Sequence, residues 1–336
     1  MGYAPPVMTE ITRADIIDAR TRIAADVRPT PLLRLRGADL GIDCAELWLK
    51  LEHLQVGGSF KARGMFNRMR CNDVPEVGVV IASGGNAGIA VACAAKALGV
   101  RCEVFVPETA SAAKRDKLVE LGAVLQVTGA SYADALAASL ERHAQTGALL
   151  MHAYDQREVV IGAGTLAAEV EDEAGVPDRV LVSVGGGGLI AGVASWFQDR
   201  CWIDALEPQL APTLFRAREA GEPVDVAVSG IAADSLGARR IGGIAWDVTQ
   251  RHVNDAHLVS DARIGAAQQA MWKVLRLAVE PAAALPLAAL MAGIVAPRRV
   301  ERVLLVICGA NVDLASLAAQ AHGTRRLSAT SERAPS

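Results

Sequence analysis

The chain has 336 residues, 51% hydrophobic but only 4% aromatic, so it can bury a large core built mainly from Ala, Val, Leu and Ile, and two domains are expected. Its 34 basic and 37 acidic residues leave a net charge of -3, which excludes a long-range field for nucleic acid or an anionic membrane and leaves a small molecule as the expected partner. Six cysteines without a C-x-x-C pair and six histidines without an H-x-x-x-H pair indicate neither a disulfide framework nor a structural metal, and suit a reducing cytoplasm.

The start, MGYAPPVMTE, lacks the charged-then-apolar order of a signal peptide. A helix is expected over TRADIIDARTRIAADV, after which the prolines of RPTPLLRL force an extended path into the core. Strands and helices then alternate. ELWLKLEHL and GVVIAS read as strands, and NAGIAVACAAKALGV as an alanine-rich helix capped by Gly99. RCEVFVP and AVLQVTG read as strands, SAAKRDKLVELG and SYADALAASLERHAQTG as helices. A second series takes the helix IGAGTLAAEVEDEAG, the strand RVLVSVGGGG, the helix LIAGVASWFQD, and the strands CWIDALEP and RVLLVICGAN. The most apolar long window, 277–296, holds Glu280, Pro281 and Pro286 and so reads as a buried helix start rather than a membrane span. Residues 323–336 are polar enough to be disordered.

Such alternation predicts an α/β chain with parallel sheets covered by helices on both faces. Ligands of such sheets gather beyond the carboxyl ends of strands, which singles out GGSFKARG, ASGGNAG, VGGGGLIAG and ICGAN. Gly185, Gly186, Gly187 and Gly188 stand between a strand and a helix, where backbone N–H groups can cradle a phosphate. The same stretch also reads as a tight structural turn, or, through G-x-G-x-x-A with Glu207 at the end of the next strand, as a dinucleotide fingerprint. Ser83 and Asn86 at a helix start suit a carboxylate, or simply an N-cap. Cys308 alone reads as a small buried hydrophobe. Lys61, between Phe60 and the start of a helix, is the sharpest signal, because a desolvated amine has a lowered pKa and attacks carbonyls. A reactive amine, a phosphate cradle and a carboxylate loop together call for a phosphorylated aldehyde, pyridoxal 5'-phosphate.

With those segments in order from about Pro29 to Leu317, the chain resembles the serine/threonine dehydratases (ammonia-lyases) among the fold type II pyridoxal-phosphate enzymes. The resemblance implies a two-domain, tryptophan synthase β-like fold. Residues 1–70 and 155–322 would form the large cofactor-binding domain and 75–154 a small mobile one. It implies that Lys61 carries the cofactor and removes the Cα proton. Phe60 would lie against the ring, Asn86 would bond its phenolic oxygen, Gly185 to Gly188 with Leu189 would hold the phosphate, and Cys308 would face the pyridine nitrogen. Ser83, Gly84, Asn86 and Ala87 would form the substrate loop, and Tyr154 and SGIAADS around Ala232 the pocket wall.

The implied reaction is elimination from L-threonine or L-serine to a 2-oxo acid and ammonia by a homodimer. Alternatives sharing the cofactor are a dehydratase for 3-hydroxyaspartate or phenylserine, and a β-replacement enzyme. More remote are a nicotinamide dehydrogenase and a silent amino-acid-binding protein. Gly84 stands where racemising relatives carry a serine that reprotonates Cα, so elimination without racemisation is expected. The family's divalent-cation site maps onto Glu207, Ala211 and Thr213, and Thr213 brings no charge, so no metal is expected. Gly57 stands where many relatives have Thr or Ser, and no regulatory domain is expected after the catalytic series.

Overall fold

The computed structural model describes residues 10–312; the expected disorder of 323–336 falls outside them. The first helix, α1 (Arg13–Ile23), opens on a capping box in which Thr12 and Asp15 satisfy each other's backbone N–H groups, and it buries Ile16, Ala19 and Ile23. Strands β1 (Leu32–Arg36) and β2 (Glu46–Lys50) form an antiparallel pair. The expected strand 46–54 stops at Lys50, because the chain turns at Leu51 and carries the fully buried Glu52 inward to meet Arg63.

Helix α2 (Lys61–Cys71) begins at the lysine itself. The next stretch alternates as expected: β3 (Val79–Ala82), α3 (Asn86–Leu98), β4 (Cys102–Val106), α4 (Ala112–Glu120), β5 (Val124–Val127), α5 (Tyr132–Thr146) and β6 (Leu149–Leu150). These strands make a parallel sheet in the order β5-β4-β3-β6. Helix α6 (Arg157–Ala174) leads into β7 (Arg179–Ser183), α7 (Gly188–Phe197), β8 (Trp202–Pro208) and α8 (Thr213–Ala220). Helix α9 (Gly243–His252), strand β9 (Asp255–Val259), helices α10 (Asp261–Ala270) and α11 (Pro281–Met291), and strand β10 (Arg302–Val306) complete the described chain. The larger sheet runs β1-β2-β10-β7-β8-β9, parallel except for β1 against β2.

The apolar window at 277–296 is helical from Pro281, which occupies the first turn, where its missing N–H costs nothing. No helix among the described residues is long and apolar enough to cross a membrane. The main core packs α6, α7 and α11 against the larger sheet, and a second cluster joins α2 and α3 to the smaller one.

Helix α6 is the axle of this arrangement. A Cβ on Gly162 would stand 2.5 Å from the Arg63 carbonyl of α2, and one on Gly192 of α7 would stand 2.5 Å from the Gly164 N. The absence of side chains at these crossings lets three helices pack backbone to backbone, which fixes where α2, and therefore Lys61, begins.

Beneath α2 lies a buried charge cluster. The Arg63 guanidinium donates to both carboxylate oxygens of Glu52 at 2.8 Å and to Glu169 at 2.6 and 2.8 Å, and Lys50 Nζ reaches Glu169 at 2.6 Å. Two cations meet two carboxylates, so the desolvated charges balance.

Candidate active site

The four segments singled out in the sequence converge beyond the carboxyl ends of β2, β3, β7 and β10. Backbone hydrogen bonds zip two of them together: Phe60 N–H donates to the Cys308 carbonyl at 3.0 Å, and Ala310 N–H to the Gly58 carbonyl at 2.9 Å. Lys61 and Cys308 are thereby neighbours despite their separation in the chain. Phe60, Lys61, Asn86, Gly185 to Gly188, Leu189 and Cys308 all line one cavity. Ser83, Gly84 and Ala87 are not part of its wall; they sit beside it on the loop that delivers Asn86, where the Ser83 hydroxyl accepts from Gly85 N–H at 3.4 Å.

The Lys61 amine donates to the Ala153 carbonyl at 2.6 Å and lies 4.9 Å from the Phe60 ring centroid. Desolvation lowers its pKa from 10.5 to about 8, with nearby Cys308 and Glu280 opposing the shift. The Cys308 thiol is pushed well above its ordinary value by burial and by Glu280, so it stands as a neutral group.

Sequence reasoning passed over Glu280, which lines the same cavity at the start of α11. Asn86 Nδ2 donates to its two oxygens at 2.8 and 3.0 Å, and Asn311 Nδ2 donates to Asn86 Oδ1 at 2.7 Å and to the Gly57 carbonyl at 2.8 Å. Gly309 is what makes room, since a Cβ there would collide with Glu280 Oε1. A signal existed in the sequence: a carboxylate directly before a helix-starting proline in an otherwise apolar window.

The glycine loop forms a concave turn at the start of α7. Gly187 takes φ +89°, and a Cβ on Gly185 would stand 3.0 Å from the Leu236 Cα. One on Gly186 would run into the Tyr154 ring, which, with Ser235 and Leu236, supplies the wall expected from Tyr154 and the segment around Ala232. Tyr154 is set by its neighbours. His152 Nδ1 accepts from the N–H groups of Tyr154 at 3.3 Å and Asp155 at 2.9 Å, and the Asp155 carboxylate caps α9 by accepting from Gly243 and Ile244.

Glu207, the acid of the dinucleotide reading, does not face this cavity. It is fully buried and accepts from Leu214 N–H at 2.8 Å and Phe215 N–H at 2.7 Å, leaving nothing to offer a ribose. A desolvated amine at the mouth of a glycine cradle, beside a neutral thiol, fits an aldehyde bearing a phosphate. The glycines leave open the volume that Cβ atoms would otherwise fill.

Comparison with known proteins agrees with that fit. The sequence profile described as "Pyridoxal-phosphate dependent enzyme" matches residues 23–309. The chain is 33% identical over 311 residues to a phenylserine dehydratase of Ralstonia pickettii, covering 90% of this chain and 94% of that one. It is 35% identical over 322 residues to a biosynthetic L-threonine dehydratase of Corynebacterium glutamicum, covering 90% and 72%. Among solved structures, maize serine racemase superposes with a TM-score of 0.86 at 29% identity, over 95% of this chain and 99% of that one. The protein belongs to the pyridoxal-phosphate dependent enzymes, with the fold type II architecture and pyridoxal 5'-phosphate as its cofactor.

Proposed function

We propose that the protein is an ammonia-lyase that removes the β-hydroxyl of L-threonine, L-serine or both, releasing a 2-oxo acid and ammonia. The observation that carries this reading is the Lys61 amine, desolvated to a pKa of about 8 and held at the edge of the glycine cradle. Bound there, pyridoxal phosphate supplies the electron sink for the pair left when Cα loses its proton.

Lys61 is both the anchor and the base: its amine is neutral in an accessible pH range, so it can take a proton from Cα. Gly185 to Gly188 and Leu189 would hold the phosphate with backbone N–H groups at the start of α7. Phe60 bounds the cavity on one side of Lys61, and Cys308 would offer the ring nitrogen a neutral thiol in place of a carboxylate. A neutral thiol at that position would not force the ring to carry charge, and the electron sink it supplies would be tempered accordingly. Asn86, locked by Glu280 and Asn311, presents the loop Ser83–Ala87 to the substrate carboxylate.

The two sheets support a division at the boundaries read from the sequence, with 75–154 as the small unit. A homodimer and a cytoplasmic location belong to the same proposal, on the resemblance and on six free cysteines.

The test is a panel of β-hydroxy amino acids, threonine, serine, phenylserine and 3-hydroxyaspartate, assayed for 2-oxo acid and ammonia. Release from threonine or serine is expected, with loss of both activity and the visible cofactor band in Lys61→Ala. Turnover confined to phenylserine or 3-hydroxyaspartate would move the assignment to that dehydratase, and products formed only with an added thiol nucleophile would replace elimination with β-replacement.

A further inference from the structure

The resemblance carries a divalent cation at Glu207, the Ala211 carbonyl and position 213, and the residues present do not fit one. Glu207, the penultimate residue of β8, has no exposed surface. Its Oε1 lies 2.8 Å from the Thr213 hydroxyl oxygen and accepts from Leu214 N–H at 2.8 Å, and its Oε2 accepts from Phe215 N–H at 2.7 Å. The two N–H groups belong to the first turn of α8, so both oxygens are already engaged at the positive end of that helix, a place unfavourable for a cation. Thr213 contributes a neutral oxygen where a hard cation needs a carboxylate.

The same hydroxyl has a single proton, and it donates it to the closer partner, the carbonyl oxygen of Gly185, the first glycine of the loop, at 2.6 Å. Thr213 is fully buried and Gly185 is buried, so water offers no substitute partner. A chain of contacts, Glu207 to Thr213 to Gly185, thus joins the end of β8 to the glycine loop where the family arrangement would put an ion.

We propose that Thr213 is a positioning residue that holds the phosphate loop in shape without a divalent cation, so that cofactor affinity and stability do not depend on one. This rests on the reading of Gly185 to Gly188 as the phosphate loop. Thr213 touches neither cofactor nor substrate; it acts through the Gly185 carbonyl.

The experiment titrates the apoprotein with pyridoxal phosphate and with pyridoxal, followed by fluorescence, for wild type, Thr213→Val and Thr213→Ser. Wild type is also melted and titrated in EDTA, magnesium and calcium. Wild type should prefer the phosphorylated form and show the same affinity and Tm in all three media. Thr213→Val should weaken pyridoxal phosphate about tenfold while leaving pyridoxal unchanged, and Thr213→Ser should restore binding to within about twofold. A rise in wild-type Tm or affinity with either cation overturns the proposal and needs no folded variant. Normal preference in wild type together with an indifferent Thr213→Val overturns the proposal alone. Equal binding of the two forms by wild type overturns the loop reading, and the proposal with it.

Discussion

Asn86 Nδ2 lies within 3.0 Å of both carboxylate oxygens of Glu280, tying the first residue of α3 to the residue that opens α11. This contact joins the loop before α3 to the larger sheet's helix layer at the cavity itself. Burial raises the Glu280 pKa from 4.5 to about 7, while Asn86 and Lys61 pull it back down.

The sign of the consequence follows from the raised value. The folded protein keeps a proton that the unfolded chain releases, so the stability contributed by Glu280 is present below pH 4.5 and lost as pH rises through about 7. Glu280→Gln keeps an amide oxygen for Asn86 and has no proton to lose. Thermal melts should therefore show the Tm of Glu280→Gln gaining on wild type between pH 5 and pH 8, roughly the titration window. Parallel curves across that range would show that Glu280 does not titrate there.

Lys61 gives the opposite sign. Its folded pKa, about 8, lies below the ordinary 10.5, so its stabilising contribution is present above pH 10.5 and lost as pH falls through 8. At neutral pH the apoprotein bears a partly buried, desolvated ammonium, and Lys61→Met should raise its stability by about 1–2 kcal/mol while abolishing covalent cofactor binding. In wild type, the rate of pyridoxal phosphate incorporation should climb with pH and level off above about 8, when the amine is neutral. A flat rate profile, with an unchanged melt for Lys61→Met, would mean the amine is solvated after all.

The parts of this site written in local sequence were legible. Lysine at a strand-to-helix turn, four glycines after an apolar strand and Asn86 at a helix start each carry a chemical constraint in adjacent residues. The stretch 243–275 was not read, because α10 has weak amphipathic patterning and β9 is an edge strand with partly exposed residues. Glu280 escaped for a different reason. Its meaning depends on Asn86, Asn311 and the bare Gly309, which approach it only through folding. The early end of β2 likewise follows from the Glu52–Arg63 pair, a contact between two elements that periodicity cannot register.

On the proposed reading of the substrate loop, Gly84 leaves Cα without a second proton donor, which favours elimination over racemisation. A Cβ there would stand 3.4 Å from Val106 Cγ1 and 4.0 Å from Ala110 Cβ, ordinary contacts, so Gly84→Ser should fold with its Tm within about 2 °C of wild type. Wild type has no side-chain proton to return to Cα at this position, and should deaminate L-serine with negligible D-serine. The serine variant should form measurable D-serine by chiral chromatography. D-serine from wild type at a rate comparable to deamination would contradict this assignment.

The charge cluster under α2 predicts the largest stability effect. Arg63 is fully buried, and its pKa is raised because Glu52 and Glu169 outweigh desolvation. Arg63→Ala would leave Glu52 with its carboxylate buried beside Thr30 alone, whereas Glu169 would keep Lys50. Removing one member of such a pair costs about 3–5 kcal/mol, so denaturant midpoints should fall steeply for Arg63→Ala. The loss belongs to the orphaned Glu52 charge, and Arg63→Ala combined with Glu52→Gln should therefore recover part of it, a non-additivity that a double-mutant cycle reads directly. Because α2 starts at Lys61, the single variant should also lose bound cofactor at temperatures where it remains folded. Additive effects in the cycle would assign the loss to packing rather than to charge.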